Sequence, residues 1–312
     1  MLIMRPVPPF RLDLTVWALR RRARNAIDRW DGSAYRRTIV LAGRRTDLAV
    51  RQSGSPASPR LLVTAMPPPR TPRDRRGMRS VVDRLLGVSV DLAEWYRLAR
   101  QDARLRRLAE QFRGVKPPRF PTMFEALTNA FACQQLSLEV GLELLNRLAA
   151  VCDGTSETNR CGHHAFPLPG AVARLPLARY RAIGFSRQKA RALLALARAV
   201  ERHDVDLEAL AADEDGEACA RLLQLRGVGR WTAEYVLLRG LGRLQVFPGD
   251  DVGAQKRLAR WLGRRSALDY VGVRRAVHRW QPYAGLVYFH LLLDGLHQAG
   301  ALDPPKSASG EQ

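Results

Sequence analysis

Lysine is nearly missing from this chain of 312 residues. Only Lys116, Lys189, Lys256 and Lys306 occur among 51 basic side chains, and the rest are arginine. Such a skew also follows from genome base composition, so the charge alone does not establish a function. Cysteine is scarce too. Cys133, Cys152, Cys161 and Cys219 show no framework spacing, which excludes a disulfide-stapled secreted scaffold and fits reduced thiols. No apolar run approaches membrane-spanning length, and MLIMRPVPPFRLDL lacks the hydrophobic stretch of a signal peptide. A soluble, cytoplasmic protein is expected. Neither a phosphate-binding loop nor a dinucleotide fingerprint is found. The string CGHH (residues 161–164) with Cys152 fits no structural zinc spacing and reads as a solvated loop. SRQK at residues 186–189 reads as a helix cap on Ser186. No metal and no cofactor are expected.

What is abundant is positive charge, +21 in net. A surplus of this size favours a polyanionic partner, either nucleic acid or an anionic membrane surface. It is uneven: residues 1–120 carry 27 basic and 10 acidic side chains, residues 121–312 carry 24 and 20. If the chemistry lies in the second part, the first supplies much of a nonspecific, salt-sensitive attraction for a duplex.

Residues 10–65 alternate short apolar and polar segments, as in RRTIVLAGRRTDLAVRQSG and PRLLVTAM, and predict an antiparallel sheet. VWALRRRARNAIDRW reads as an accompanying helix. MPPPRTPRDRRGMRS (residues 66–80) reads as a surface loop or linker. From VVDRLLGV onward, apolar residues recur at three- and four-residue spacing, predicting helix after helix. DLAEWYRLARQDARLRRLAEQF and TMFEALTNAFACQQLSLEVGLELLNRLAAV each read as one long segment. The expectation is an α+β N-terminal domain with a small antiparallel sheet and a linker (residues 1–80). A larger all-α domain (residues 81–303) and a disordered tail (residues 304–312) follow.

LQLRGVGRWTAEY (residues 223–235) interrupts two helices with a tight turn. Gly227 and Gly229 give backbone freedom and allow close approach. The N–H groups of this turn, at a helix start, suit a DNA phosphate. The glycines alone are equally consistent with a bare helix–helix turn. VFPGDDVGAQKRL (residues 246–258) then sets Asp250 and Asp251 between a Pro-Gly turn and a helix beginning near Val252. One acid suffices as a cap, which leaves the other to face a cleft.

Together, LRGVGRWTAEYVLLRG and VFPGDDVGAQ resemble the hairpin, loop and aspartate signature of the helix-hairpin-helix DNA glycosylase superfamily. Within it the chain looks most like the bacterial DNA-3-methyladenine glycosylase II family. FPTMFEALTNAFACQQLSLEVGLELLNRLA, YRAIGFSRQKARALLALARAV and RWQPYAGLVYFHLL extend the resemblance, and residues 1–65 resemble the family's N-terminal domain more weakly. The resemblance implies that Asp251 is the catalytic acid and that Asp250 is the cap. It implies that Gly227, Val228 and Gly229 grip a phosphate, helped by Thr232. In members that also cut the backbone a lysine follows the hairpin, where this chain has Trp231, so a monofunctional enzyme is implied. No cysteine follows Cys219, so the four-cysteine iron–sulfur cluster of other branches is not expected.

Cleavage of an N-glycosidic bond builds positive charge on the sugar, which a sheltered carboxylate stabilises. The target base must first leave the stack. Trp231 and Tyr235, four apart on one helix face, suit a positively charged alkylated purine by stacking and cation–π attraction. Core packing is the commoner role for aromatics at this spacing. Phe124 and Trp17 are weaker pocket candidates. CQQLSLE (residues 133–139) matches the intercalating region, making Gln135 or Leu136 the wedge. Gln135 stands where the family has leucine, and Leu292 where it has a tryptophan.

The expectation is a monofunctional glycosylase, monomeric and nucleoid-associated, acting on double-stranded DNA that carries 3-methyladenine- or 7-methylguanine-type lesions. A noncatalytic DNA-binding protein and a glycosylase for oxidised or deaminated bases stay open. A membrane-surface role would explain the arginines but not the hairpin or the aspartate.

Overall fold

The computed structural model describes residues 1–153 and 163–302. Five strands form one antiparallel sheet: β1 (Leu2–Met4), β2 (Arg29–Trp30), β3 (Ala34–Leu41), β4 (Arg44–Ser53) and β5 (Arg60–Met66), in spatial order β1-β5-β4-β3-β2. β3 and β4 pair from Ala34↔Arg51 to Leu41↔Arg44, and Val50 of β4 lies opposite Val63 of β5. Alternation buries Leu48 and Val50 together with Leu61 and Val63. Helix α1 (Leu12–Arg20) adds Leu12, Val16 and Leu19 to this core, and helix α2 (Pro72–Leu86) adds Met78, Val82 and Leu85.

Two expectations need correction here. The predicted helix through NAIDRW stops at Arg20, because Arg21 takes a left-handed φ of 63°. The Asn25 side chain then accepts from the N–H groups of Ile27 and Asp28, turning the chain towards β2. The segment read as a linker is helical from Pro72 onward. Thr71 Oγ accepts from the Asp74 N–H at 3.1 Å and the Asp74 carboxylate from the Thr71 N–H at 3.1 Å, a reciprocal cap with Pro72 at the first helical position. The arginines that suggested a loop lie on the helix beside a buried stripe of Met78, Val82 and Leu85. The sheet's core therefore runs on to Val88.

Two long helical segments are each divided. Helices α3 (Ala93–Arg100) and α4 (Ala103–Gln111) break where Asp102 turns back to accept from the Arg104 and Leu105 N–H groups. Helices α5 (Met123–Cys133) and α6 (Leu138–Asp153) break at residues 134–137. The chain continues through α7 (Pro169–Ala173), α8 (Leu177–Ala182), α9 (Arg187–Glu201) and α10 (Asp215–Leu223). Helix α11 (Arg230–Val236) runs into a π-helical turn, Leu237–Leu241, and α12 (Val252–Trp261), α13 (Tyr270–Val277) and α14 (Ala284–Gln298) follow. The expected tail and Cys161 lie outside the described residues.

Helix α5 is the spine of this assembly, with every residue from Met123 to Ala132 buried. One end ties it to the sheet. Arg37 of β3, 1% exposed, donates to Asp28 at 2.7 Å and to both oxygens of Glu125 at 2.6 Å. Burial pushes the Glu125 carboxyl up to about 7, against the pull of the Arg37 guanidinium.

Helix α14 fills a second core with α3, α4 and α12. Inside it, His290 is fully buried, its Nδ1–H donating to the Leu286 carbonyl at 2.7 Å and its ring 5.1 Å from Trp95. Burial holds this imidazole down at about 4, below its ordinary 6.5. Between those values the unfolded chain takes up a proton that the folded chain refuses. The contribution of His290 to stability is therefore expected to fall by about 3 kcal/mol as the pH drops from about 6.5 to about 4, while Glu125, raised to about 7, contributes with the opposite sign over much of that range. Urea unfolding of the wild type and of His290→Gln across this range isolates the histidine: the difference between them should change by about that amount.

Candidate active site

The hairpin joins α10 to α11, and its two glycines serve different purposes. Gly227 has φ +84°, and a Cβ there would sit 2.8 Å from the Ala192 Cβ of α9. Backbone and packing both demand glycine. Gly229, at φ −105°, has nothing within 4 Å of where a Cβ would be, so the backbone at the start of α11 faces open space. Val228 is buried and its N–H donates to the Leu225 carbonyl, which makes it the anchor of the turn.

A residue missed in the sequence holds this turn in place. Gln134 Nε2 donates to the Gly227 carbonyl at 2.9 Å and to Thr232 Oγ at 2.7 Å, coupling the end of α5 to both sides of the hairpin. Thr232 is buried, so its hydroxyl is a link within the protein. The Lys189 ammonium donates to the carbonyls of Ala132, at 3.3 Å, and Gln134. From this pinned base Gln135, at a left-handed φ of 54°, and Leu136, 44% exposed, stand out beside the hairpin.

The capping role expected of Asp250 falls to Asp251. Asp251, not Asp250, caps α12: its Oδ1 accepts from the Ala254 N–H at 2.7 Å. Asp250 instead closes on Arg230 at the start of α11, with contacts of 2.6 and 3.1 Å. The Arg230 guanidinium lies 3.7 Å over the Tyr270 ring. The cap position follows the residue directly before the helix, and Asp250 lies one step too early to reach those N–H groups. Asp251 is half-buried, and its Oδ2 accepts from the Tyr288 hydroxyl at 3.0 Å. Burial, reinforced by the Asp251 charge, pushes the Tyr288 phenol well up, so it stays a donor.

The loop before Asp251 is braced by Glu234 of α11. Its carboxylate accepts from the Gly249 N–H and the Tyr270 hydroxyl, both at 2.8 Å. A side chain at Gly249 would meet the Tyr270 ring at 2.6 Å. Gln255 Nε2 adds a bond to the Gly249 carbonyl at 2.8 Å. Hairpin and aspartate loop are therefore one rigid unit.

Trp231 and Tyr235 do stack, with ring centroids 5.2 Å apart and planes at 28°. Trp231 is half-exposed, while Tyr235 is buried behind it. The Tyr235 phenol and the Asp251 carboxylate lie close enough for the charge to raise the phenol further above its ordinary value, after the larger effect of burial. Phe124 is a correction. It lies in the first turn of α5, about 15 Å along the helix from Gln134, and lines a separate cavity of about 670 Å³ with Arg37, Glu125 and Phe166. Trp17 packs against the α14 core with the Arg20 guanidinium 4.9 Å over its ring. Leu292 is buried one turn beyond Tyr288 on α14. Among the described residues no group of three or more His, Cys, Asp or Glu side chains is placed to hold a metal ion. Likewise, no helix is long and apolar enough to cross a membrane.

Residues 128–282, from mid-α5 past α13, match the profile of the HhH-GPD superfamily of base excision DNA repair proteins. The chain belongs to this superfamily. Among HhH-GPD relatives, the DNA-3-methyladenine glycosylase of Bacillus subtilis (strain 168) is 28% identical over 205 residues, 65% of this chain and 68% of that protein. The 3-methyladenine DNA glycosylase from Archaeoglobus fulgidus superposes with a TM-score of 0.82 at 25% identity, covering 94% of this chain and 98% of that one. The Schizosaccharomyces pombe 3-methyladenine DNA glycosylase in complex with abasic DNA gives 0.54 at 25% identity, covering 62% and 92%. The HhH-GPD match includes the hairpin and Asp251 but ends before Tyr288.

The braces differ in energetic weight. Glu234→Ala strands two donors in a buried setting and is expected to cost about 1–3 kcal/mol in urea unfolding. Asp250→Asn breaks an ion pair whose side chains are 54% and 30% exposed, and is expected to cost less than about 1 kcal/mol.

Proposed function

We propose that this protein is a monofunctional DNA glycosylase that hydrolyses the N-glycosidic bond of alkylated purines in base-excision repair. The observation that carries this reading is Asp251. Its carboxylate is half-buried, aimed by a helix cap and a buried phenol, and joined to the hairpin by Glu234 and by the Asp250–Arg230 pair. The relatives named above, 3-methyladenine DNA glycosylases, support the same activity.

In this reading the hairpin holds a backbone phosphate at the open face of Gly229, and the N–H groups of the first turn of α11 supply the donors. Gln135 or Leu136 enters the stack where the flipped nucleotide was. The extruded base stacks on Trp231. The C1′–N bond then breaks with its electrons leaving on the base, and positive charge grows on the sugar beside Asp251. A water oxygen bonds to C1′, and its proton passes to solvent when a cationic base departs neutral, or to the base itself when it departs as an anion. Each Asp251 oxygen accepts one bond from the protein and keeps a further lone pair for the sugar or the water.

Among the described residues no amine stands where strand cleavage would need one. Trp231 occupies that position, the ammonium groups of Lys116 and Lys189 are spent on backbone carbonyls, and Lys256 is exposed on α12. The basic surplus of residues 1–120 attracts the duplex before specific contacts form.

Asp251→Asn preserves a helix cap but removes the charge. Single-turnover base release from duplexes with one alkylated purine is expected to fall roughly 10²- to 10³-fold, with duplex binding retained. Tyr288→Phe removes one hydrogen bond to an ionised group and is expected to slow release by roughly tenfold or more. Duplex binding with no base released by the wild type from any lesion would sink the enzyme reading and favour a noncatalytic DNA-binding protein.

A further inference from the structure

Helix α2 begins in a block of positive charge that neither the fold nor the candidate site uses. Five of the ten residues from Arg70 to Arg79 are arginine, against 51 basic residues in the whole chain of 312. Arg70, Arg73, Arg75, Arg76 and Arg79 are all exposed. Among the described residues none of these five side chains makes an ion pair or a hydrogen bond. The one acid among them, Asp74, is buried, belongs to the helix cap and lies 3.6 Å from Arg44. A bias in base composition selects arginine over lysine, but it does not gather unpaired cations on one face.

The helix gains nothing from them. Its packing rests on Met78, Val82 and Leu85, and its cap on Thr71 and Asp74. Arg73 and Arg76, and likewise Arg75 and Arg79, are like charges one turn apart, which repel. Arg73 and Arg75 also sit in the first turn, where the positive end of the helix dipole disfavours cations. A partner that brings negative charge removes both penalties.

Position separates this face from the hairpin. Gln134 holds the hairpin at the C-terminal end of α5, whereas α2 docks at the other end, about 15 Å away, where Arg84 Nε donates to the Phe120 carbonyl at 2.9 Å. From that anchor α2 extends roughly 16 Å to Arg73, passing the end of β3, where Gly77 packs on Leu41. A duplex gripped at the hairpin and entered by Gln135 or Leu136 lies at the opposite end of α5.

The chemistry of the face selects its partner. No large apolar side chain is exposed on α2, which leaves nothing to insert into a lipid surface and no anchor for a protein interface. It offers guanidinium groups, flat bidentate donors for phosphate, on a rigid rod. From Arg73 to Arg79 the helix rises about 9 Å, enough to meet several phosphates of a duplex that carries one charge per about 1.7 Å of its axis.

We propose that the arginine face of α2 binds the phosphate backbone of a second segment of duplex DNA while the hairpin holds the first. Only the first segment rests on the glycosylase reading. Bridging two segments lets the protein pass from one to the other without release into solvent, which shortens a search for rare damaged bases.

The test uses the full chain at low salt with two short undamaged duplexes, one carrying a donor dye and the other an acceptor. The wild type is expected to give energy transfer between them, with two duplexes sedimenting on one protein. It should also release a labelled duplex faster as unlabelled duplex is added. Arg73→Glu with Arg76→Glu, checked for folding by its thermal melt, should lose both effects, and Arg73→Lys with Arg76→Lys should keep them. Base release from an alkylated duplex should stay within about twofold of the wild type in both variants, since the changes are exposed and far from Asp251. One duplex bound and no second overturns the proposal and leaves the glycosylase reading intact. So does a second duplex that the folded glutamate variant still binds, or a pair of duplexes joined only by two proteins. Binding to phosphatidylglycerol vesicles through these arginines, with no second duplex, overturns it in favour of a membrane surface. A wild type that holds two duplexes but releases no base keeps this inference and removes the glycosylase reading.

Discussion

The direction of a single carboxylate is the constraint on which this site is built. Asp251 takes its aim from the backbone it caps, because Oδ1 must reach the Ala254 N–H, and the Tyr288 hydroxyl fixes the other oxygen. An unconstrained aspartate rotates freely and spends its charge on water. Here rotation is stopped at both oxygens by donors that leave the negative charge in place. The helix that Asp251 caps turns its positive N-terminal end towards the carboxylate.

A carboxylate aimed this way acts only on a nucleotide held at a set distance, and the tertiary contacts meet that demand. Glu234 fastens the start of the aspartate loop to α11, and Arg230 and Asp250 close the same gap from the solvent side. Gln134 fastens the hairpin to α5, and α5 is tied to the sheet through Glu125 and Arg37. The buried bonds carry most of the stiffness, because the exposed ion pair is screened by water and salt. The phosphate-gripping turn, the wedge loop and the carboxylate thus share one rigid frame. The arginines of the first 120 residues form a diffuse field around this frame that salt weakens.

Local signals in the sequence were reliable where the physics is local. The glycine turn, the helix start at Val252 and the sheet of alternating strands all follow from neighbouring residues. The site was half legible: the Trp231–Tyr235 pair followed from spacing, whereas Gln135 and Leu136 were singled out by the family resemblance alone. Other readings failed for identifiable reasons. The Thr71–Asp74 cap lies in a stretch dominated by proline and arginine, which masks the apolar stripe of Met78, Val82 and Leu85. The break after Cys133 carries no glycine or proline, and it exists because Gln134 is drawn to the hairpin 93 residues away. Tyr288 stood in an almost wholly apolar helix, where one polar aromatic was the available clue. Arg21 was one arginine in a run of three, with no mark of burial.

The sequence by itself determined the hairpin, the acid that follows it and the order of sheet and helices, because turns, caps and periodicity act over a few residues. Only the tertiary structure decided which phenol holds Asp251 and which arginines lose contact with water. Those choices depend on chain segments 37 to 214 residues apart meeting in one volume, where burial sets the strength of every charge.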